Sequence, residues 1–287
     1  MTPPPILTSA RALLDRYDVV FCDIWGVVHD GRTAYSEGCD ALTKFRESGG
    51  TVILVSNAPR TAGVVADILA EKHVPENCWD AIVPSGDLAL AHAAREGIGR
   101  VHHIGPDRDL DLFDGAGLDR VTIDAAEALL CTGLVHDRQE TAEDYRPRLE
   151  QALEHGLPFI CANPDLIVDV GGDLLPCAGS IAAVYEAMGG DVYWAGKPHR
   201  AAYEAATALS EKLRDATIAR DRILAIGDAV RTDIAGARDF GIDAMFIGQG
   251  IHREDVMPAG DLDEAALARL FAGDAPRAVA AMSGLAW

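Results

Sequence analysis

Four short apolar runs of the sequence end in polar side chains that could bind a cation and a phosphate. Asp23 follows Val-Val-Phe-Cys, Ser56-Asn57 follows Ile-Leu-Val, Lys197 follows Tyr-Trp-Ala-Gly, and Asp228 follows Leu-Ala-Ile-Gly. Carboxylates are oxygen ligands suited to Mg²⁺, while a hydroxyl, backbone N–H groups and an ammonium can bind phosphoryl oxygens. If the runs are parallel strands of one sheet, their carboxyl ends share the edge at which such sheets bind ligands.

The elements that must position these residues follow from the pattern of apolar residues. Short β-rich runs alternate with Ala-rich segments of helical period, which predicts an α/β fold with a mainly parallel sheet. The predicted strands of this sheet are Val19–Trp25, Thr51–Asn57, Ala81–Ser85, Asp191–Ala195, Arg222–Asp228 and Asp243–Ile247. Helices are predicted at Thr61–His73, Ala201–Lys212 and Asp233–Phe240.

The middle of the chain predicts a second domain. It has strands of its own at Val101–Ile104, Ala128–Thr132 and Phe159–Ala162, and a helical stretch around Glu143–His155. The polar strand ends before and after this region look like parts of one site. We therefore expect a core domain formed by residues 1–85 and 178–287, with a second domain, residues 86–177, inserted into it.

Composition and charge disfavour several classes of function. Lys and Arg number 25 and Asp and Glu 45, so the formal net charge of −20 disfavours binding to nucleic acid or to an anionic membrane. We expect no membrane span and no signal peptide, because the apolar runs are short and the sequence starts Met-Thr-Pro-Pro-Pro. The six scattered cysteines are typical of buried thiols in a reducing compartment. The expectation is a cytoplasmic protein.

The polar motifs, taken in order, resemble those of the haloacid dehalogenase (HAD) superfamily, and most closely its class IIA branch of NagD-like phosphatases. The first motif of the superfamily is matched here by Asp23-Ile24-Trp25-Gly26-Val27, and the second by Leu54-Val55-Ser56-Asn57. The third is matched by Gly196-Lys197-Pro198, and the fourth by Gly227-Asp228-Ala229-Val230-Arg231-Thr232-Asp233. Two further stretches of that branch resemble Asn163-Pro164-Asp165 and Pro176-Cys177-Ala178-Gly179-Ser180. The resemblance covers nearly the whole chain. It implies a Rossmann-like core with a parallel sheet and an inserted α/β cap domain of the kind that class IIA members carry.

The resemblance also implies a reaction and its metal. Asp23 would be the nucleophile of a phosphomonoester hydrolase, forming an aspartyl-phosphate. Its other carboxylate oxygen would bind Mg²⁺ together with Asp228 and the backbone carbonyl of Trp25. Asp233 would support the metal from behind these ligands or through a water molecule.

The remaining site residues are implied to contact the substrate, a small phosphorylated metabolite. Ser56 and Lys197 would hold the transferring phosphoryl group, with Asn57 beside them. Asn163 and Asp165 would face the site from the cap, although an Asx-type turn around Pro164 explains them equally well.

Trp25 departs from the pattern of the family, which has a general acid, an aspartate, at this position. The indole N–H can donate a hydrogen bond but cannot exchange a proton near neutral pH. Three interpretations follow: His29 or Asp30 substitutes for the acid; the enzyme is slow or restricted to good leaving groups; or the protein binds Mg²⁺ and phosphate without turnover. The retained nucleophile, lysine and metal carboxylate favour an enzyme.

The sequence allows two roles for each of two residues outside these motifs. Arg60 could approach the phosphate or simply begin the next helix. Trp287 could dock on the core or on a partner subunit, which leaves a homodimer open.

Overall fold

The computed structural model describes residues 3–170 and 173–287, which form two large sheets, each with its own helices, and one two-stranded sheet. The first unit comprises the chain up to Ser56 together with Ala66–Val83 and Ala202–Trp287. The second comprises Asn57–Val65 and Pro84–Ala201. The chain is thus an α/β protein in which a second α/β unit is inserted into the first.

Within the described residues the helices and strands follow one another, in chain order, as α1 (Arg11–Leu14), β1 (Val19–Cys22), α2 (Ser36–Glu47), β2 (Thr51–Ser56), α3 (Ala62–Glu71), β3 (Ala81–Pro84), α4 (Ser85–Arg95), β4 (Arg100–Ile104), β5 (Asp119–Arg120), β6 (Ala128–Cys131), α5 (Arg146–Glu154), β7 (Phe159–Cys161), β8 (Ile167–Val170), β9 (Asp173–Pro176), α6 (Ala178–Ala187), β10 (Val192–Trp194), α7 (Arg200–Arg214), β11 (Ile223–Gly227), α8 (Ala235–Phe240), β12 (Asp243–Ile247), α9 (Arg253–Val256), α10 (Glu264–Leu270) and β13 (Ala280–Met282).

The sheet of the first unit has the order β13-β12-β11-β1-β2-β3. The central pairs are parallel, since β1 pairs with β2 on one side and with β11 on the other, and β11 pairs with β12. Every residue of β1 and β11 is buried, as expected for strands covered on both faces. The carboxyl ends of β1, β2 and β11 therefore lie side by side at one edge of this sheet.

The sheet of the second unit, β10-β7-β6-β4-β5, is parallel throughout. Because successive side chains of a strand point to opposite faces, its apolar residues divide between two cores. Leu129 and Cys131 pack with α5 and α6 on one face, while Ala128 and Leu130 pack with α4 on the other. A two-stranded antiparallel sheet, β8-β9, precedes α6.

The strand that precedes Lys197 is in the second sheet, so the prediction that it belongs to the first was wrong. Val192, Tyr193 and Trp194 of β10 pair in register with Phe159, Ile160 and Cys161 of β7. All three residues of β10 are only half-buried, which is typical of an edge strand rather than of the centre of a doubly covered sheet.

The second unit also extends further along the chain than the predicted range 86–177. Helix α6 contributes Ala178, Ile181, Ala182 and Tyr185 to the core that the second sheet builds, all of them fully buried there. The unit therefore continues to Ala201, and it takes in the separate stretch Asn57–Val65.

The C-terminal segment belongs to the first unit. β13 pairs in parallel with β12 at the edge of the first sheet, and Ala10 N–H donates to the carbonyl of Ala286 at 2.8 Å. The guanidinium of Arg11 lies over the ring of Trp287, 5.9 Å from its centroid. Trp287 thus packs against its own chain.

No helix within residues 3–170 and 173–287 combines the length and the hydropathy that a membrane span requires.

Candidate active site

Three carboxylates meet at the carboxyl edge of the first sheet. Asp23 follows β1 directly, and its N–H donates to the carbonyl of Ile226 in β11 at 2.8 Å. Asp228 follows β11, and Asp233 lies in the π-helical turn Val230–Ile234 that comes next. One carboxylate oxygen from each of the three lies within 4.8 Å of the others. The strand-end argument therefore brings Asp23 and Asp228 together, although they are far apart in the sequence.

The carboxylate of Asp228 is held between two loops of the first unit. Its Oδ2 accepts the N–H of Ile251 at 2.6 Å. Gly26 and Gly250 both approach it so closely that a Cβ on either would overlap its carboxylate. Gly26 also has φ +80°, a conformation that glycine adopts without strain. Only glycine at these two positions leaves room for the Asp228 side chain.

The π-helical turn fixes Asp233. Its Oδ2 accepts the N–H of Ala229 at 3.1 Å. The hydroxyl of Tyr203, a residue only 1% exposed, lies 3.3 Å from the carbonyl of Thr232 and 3.2 Å from that of Asp233, and so donates to the turn. A Cβ on Gly227 would overlap the Asp233 carboxylate, so that side chain lies directly over the end of β11.

The donor set fits a hard divalent cation. Carboxylates this close repel one another unless a positive charge lies near them. Asp228 and Asp233 are only 4% and 3% exposed, so water screens that repulsion weakly. Carboxylate oxygens are the ligands of hard cations such as Mg²⁺ and Ca²⁺, and the cluster offers three of them.

Ser56 lies at the same edge of the first sheet. It ends β2, the neighbour of β1, two residues beyond Leu54, which pairs with Cys22. The first five residues of β2 are buried, whereas Ser56 is half-buried, so its hydroxyl is not sealed into the core. A hydroxyl there can donate to a phosphoryl oxygen near Asp23.

Trp25 is held on the loop after β1 while 36% of it stays exposed. Its ring meets that of His29 edge to face, with centroids 5.2 Å apart and planes at 73°. Gly31, at φ +88°, lies so close to the indole that a Cβ on it would overlap the ring. The indole is therefore fixed by its own loop, two residues after the predicted nucleophile.

His29 and Asp30, the suggested substitutes for a general acid, both serve the structure of this loop. His29 is 3% exposed, and its Nδ1 accepts the N–H of Gly31 at 2.9 Å. Burial, with a smaller contribution from the nearby positive charge of Lys72, lowers the pKa of His29 to about 4, so the ring is neutral at pH 7. Asp30 Oδ1 accepts two backbone N–H groups, which lowers the pKa of that carboxyl. Both side chains thus stabilise the loop, His29 through Nδ1 and Asp30 through Oδ1.

The predicted substrate residues of the second unit form one hydrogen-bonded group. The side chain of Asn57 accepts the N–H of Lys197 at 2.8 Å and donates to its carbonyl at 3.0 Å. The same side chain donates to Asp165 Oδ1 at 2.9 Å. Asn57 and Lys197 are 5% and 4% exposed. The chain positions Lys197 through this group, and not through a strand of the first sheet.

Asn163 forms an Asx-type turn around Pro164, which was the alternative to a contact with the substrate. Its Oδ1 accepts the N–H of Asp165, two residues on, at 3.0 Å. The carbonyl of Asp165 in turn accepts the N–H of Gly179 at the start of α6 at 3.2 Å. This turn orients Asp165 toward Asn57.

Arg60 is bound within the second unit by two acidic side chains. Its guanidinium lies 2.8 Å from Asp109 Oδ1 and 2.6 Å from Asp111 Oδ2. The Asp109 side chain is only 5% exposed, so the pair is largely removed from water. The sequence suggested that Arg60 either approaches the phosphate or begins the next helix. These ion pairs with Asp109 and Asp111 are a third role, which the sequence did not indicate.

Sequence reasoning missed three residues that support the site: Ser85, Tyr203 and Gly250. The Ser85 hydroxyl lies 3.4 Å from Asn57 Oδ1, and Ser85 directly follows β3, so the search for polar residues at strand ends could have found it. Tyr203 and Gly250 act from a helix interior and a loop, where residue type alone gives no signal.

Comparison with known proteins identifies the family. A model described as haloacid dehalogenase-like hydrolase matches residues 20–119, and a HAD-hydrolase-like model matches residues 194–271. A solved hydrolase of the haloacid dehalogenase-like family from Brucella suis 1330 is 43% identical, covers 96% of this chain and 98% of its own, and has a TM-score of 0.84. The chain belongs to the haloacid dehalogenase-like hydrolase family. The matched ranges contain the four motifs around Asp23, Ser56, Lys197 and Asp228. The predicted superfamily and fold class are confirmed.

Two curated relatives carry more specific names. The dihydroxyacetone phosphatase of Corynebacterium glutamicum (strain R) is 32% identical over 33% of this chain and 33% of its own length. The D-glycerol 3-phosphate phosphatase of Mycobacterium tuberculosis (strain ATCC 25618 / H37Rv) is 26% identical over 84% of this chain and 66% of its own length. The chain spans a third to just under two thirds of these relatives. Solved structures described as p-nitrophenyl phosphatases and as a nagD protein, 22–23% identical, share the fold of this chain.

Proposed function

We propose that this protein is a Mg²⁺-dependent phosphomonoester hydrolase that works through an aspartyl-phosphate on Asp23. The observation that carries the proposal is the group of three carboxylates, Asp23, Asp228 and Asp233, with ligand oxygens within 4.8 Å of one another at a sheet edge. A cation there would offset the negative charge that an acidic protein otherwise presents to a phosphate. The phosphatase names of the curated relatives support the same reaction class.

The reaction proceeds in two displacements. A carboxylate oxygen of Asp23 attacks phosphorus, the bond from phosphorus to the leaving-group oxygen breaks, and that oxygen takes a proton from water. Water then attacks the phosphorus of the aspartyl-phosphate and the bond to Asp23 breaks, which restores the carboxylate and releases inorganic phosphate. The proton that the attacking water loses replaces the one that the leaving group took up.

The protein contributes mainly position and charge, as phosphoryl-transfer enzymes do. Ser56 donates a hydrogen bond to the phosphoryl group, and Lys197 provides it with a positive charge. Asp23, Asp228 and the backbone carbonyl of Trp25 would hold Mg²⁺, with Asp233 behind them. The bound cation supplies neutralisation of the phosphoryl oxygens.

Trp25 sets which leaving groups react quickly. General acid–base catalysis contributes about 10²–10⁴-fold to such reactions, and the indole cannot supply it. An alkoxide suffers most from this loss, because it is a poor leaving group without a proton. Aryl and acyl phosphates need less help. We infer that turnover is fastest on phosphates with good leaving groups and slow on simple alkyl phosphates.

A second candidate is a regulatory or interaction module that binds Mg²⁺ and phosphate without turnover. The observation that favours it is the loop after β1, in which Trp25 replaces the acid while His29 and Asp30 are occupied by loop hydrogen bonds. The retained Asp23 favours the enzyme, since a binding module has no need of a nucleophile.

The substrate is proposed to be a small phosphorylated metabolite. The curated relatives are named for dihydroxyacetone and glycerol 3-phosphate phosphatase activities, both of which concern three-carbon compounds. All six cysteines are buried free thiols, which supports a reducing, cytoplasmic location for such an enzyme.

The experiment is a phosphatase assay of the purified chain with Mg²⁺ on p-nitrophenyl phosphate, acetyl phosphate, and a panel of glycerol, sugar and nucleotide monophosphates. Phosphate release should disappear with EDTA and in Asp23→Asn. Asp40→Asn is the matched control, because Asp40 forms an exposed ion pair with Lys44 on α2.

The two candidates give different results. An enzyme hydrolyses at least the acyl or aryl phosphate, with Asp40→Asn unaffected. A binding module shows no turnover but is stabilised against heat by inorganic phosphate only when Mg²⁺ is present. A folded protein with neither property contradicts both candidates.

A further inference from the structure

The carboxamide of Asn57 has no hydrogen-bonding capacity left for a phosphate. An amide NH₂ has two donor hydrogens and an amide oxygen two acceptor positions. In this structure both hydrogens are donated, to Asp165 Oδ1 at 2.9 Å and to the carbonyl of Lys197 at 3.0 Å. The oxygen accepts the N–H of Lys197 at 2.8 Å and the hydroxyl of Ser85 at 3.4 Å. All four positions are filled from within the second unit.

Two of these bonds hold the peptide groups of a single residue. Asn57 binds the N–H and the C=O of Lys197 together, as a neighbouring strand would, although Lys197 lies beyond the end of β10. The chain approaches Asn57 closely at this point, because a Cβ on Gly196 would overlap Ser85 Oγ and crowd Asn57 Oδ1. The backbone of Lys197 is therefore held by a side chain where regular secondary structure has stopped.

The partners of Asn57 are themselves fixed. Ser85 is the first residue of α4 and is fully buried. Asp165 is oriented by the Asn163 turn and by the hydrogen bond from Gly179 at the start of α6. Asn57 thus connects Lys197 to the first turns of two helices.

We propose that the side chain of Asn57 positions Lys197, and that its carboxamide is not itself a phosphate ligand. This inference rests on the proposed function for the role of the Lys197 ammonium. A lysine side chain has four rotatable bonds, so its charge is placed accurately only when its backbone is fixed. A misplacement of about 1 Å in such a group can cost about 10²-fold in rate.

The proposal makes a definite prediction for a double-mutant cycle of Asn57→Ala and Lys197→Ala. Asn57→Ala should lower kcat about 10²-fold on the best substrate, with KM changed much less, as expected for a contact needed in the transition state. Lys197→Ala should lower kcat by about 10²–10³-fold. If Asn57 acts through Lys197, the double variant loses no more than Lys197→Ala alone, within about threefold.

A matched control separates positioning from general loss of stability. Tyr185→Phe removes one buried hydrogen bond, from the Tyr185 hydroxyl to the carbonyl of Leu157, in the core of the same second unit. It should lower stability to urea but leave kcat unchanged. Where Asn57→Ala does not fold, Asn57→Ser takes its place, because the shorter side chain cannot reach both peptide groups of Lys197.

The outcomes distinguish this inference from the proposed function. Equal losses in Lys197→Ala and the double variant support positioning, whereas losses that multiply to about 10⁴–10⁵-fold mean that Asn57 contacts the substrate directly. If the native protein has no turnover, the same cycle is measured as Mg²⁺-dependent affinity for inorganic phosphate by calorimetry. Non-additive affinities then support positioning while the enzyme proposal fails, and additive affinities or no phosphate binding overturn the positioning role.

Discussion

The substitution Gly250→Ala tests whether the acidic cluster of the first unit holds a metal. Gly250 has no left-handed backbone conformation, so alanine causes no backbone strain there. Its Cβ would instead overlap Oδ2, Cγ and Cβ of Asp228. The Gly250 backbone and the Asp228 side chain would have to move apart, and the 2.6 Å hydrogen bond from Ile251 N–H to Asp228 would be strained or broken. The variant therefore displaces one carboxylate of the cluster without deleting it.

The expected size of the effect follows from this displacement. Residues that orient a metal ligand are typically worth about 10–100-fold in metal affinity. Since a tenfold change corresponds to about 1.4 kcal/mol, Gly250→Ala should weaken Mg²⁺ binding by about 1.4–2.7 kcal/mol. Forcing a methyl group into the packed loop should also lower the free energy of unfolding without metal by about 1–3 kcal/mol.

Calorimetric titration with Mg²⁺ and urea unfolding without metal measure the two effects separately. Gly63→Ala is the control, because Gly63 lies in α3, a Cβ there meets no atom within 4 Å, and alanine favours the helix by about 0.5–1 kcal/mol. Asp228→Asn gives the limit of complete loss of the charge. If folded Gly250→Ala binds Mg²⁺ as tightly as the native protein, Asp228 is not a ligand and the metal site proposed here is wrong.

Three further substitutions test other parts of the structure. Trp25→Asp should raise kcat on glycerol phosphate by about tenfold or more while changing acetyl phosphate hydrolysis much less. An unchanged ratio of the two rates in the folded variant would show that Trp25 does not occupy the position of a general acid. Tyr203→Phe should weaken Mg²⁺ binding about tenfold in titration, because Asp233 loses the hydroxyl that holds its turn; native affinity would show that the turn holds its shape alone. Arg60→Met should lower the free energy of urea unfolding by up to about 3 kcal/mol, since the Asp109 side chain, 5% exposed, loses its closest cation and keeps only Arg108 at 4.0 Å. Adding Asp109→Asn should recover part of this loss, and no loss in Arg60→Met would mean that the pair is structurally neutral.

Most of the first sheet could be predicted from the sequence, because its strands are long enough to read from apolar runs. β12 has the predicted bounds, and β1, β2 and β11 lie inside the predicted ranges. β1 and β11 end directly before Asp23 and Asp228, which is why these two residues could be placed at a common edge. The short β13 was missed, since three residues, Ala280–Met282, give no period to detect.

The membership of a strand in one sheet or another could not be predicted, and Lys197 shows the consequence. The run before it has the apolar character of a strand, but a run of three residues does not encode its partner. In the structure β10 pairs with β7, and the Asp23–Asp228 argument from strand ends does not extend to Lys197. What holds Lys197 is a side-chain amide from a distant part of the chain, a contact that only the tertiary structure reveals.

Ser56 and Asn57 are adjacent in the chain, but different contacts hold them in place. Ser56 is fixed as the last residue of β2 in the first unit, whereas Asn57 is fixed by Lys197, Ser85 and Asp165 in the second. Two adjacent motif residues therefore depend on separate sets of contacts. Asn57→Ala should then bind Mg²⁺ with native affinity while binding inorganic phosphate more weakly, and calorimetric titration with each ligand measures both. A parallel loss of Mg²⁺ affinity would mean that the carboxylate cluster depends on the Asn57 contacts, against the separation that the hydrogen bonds indicate.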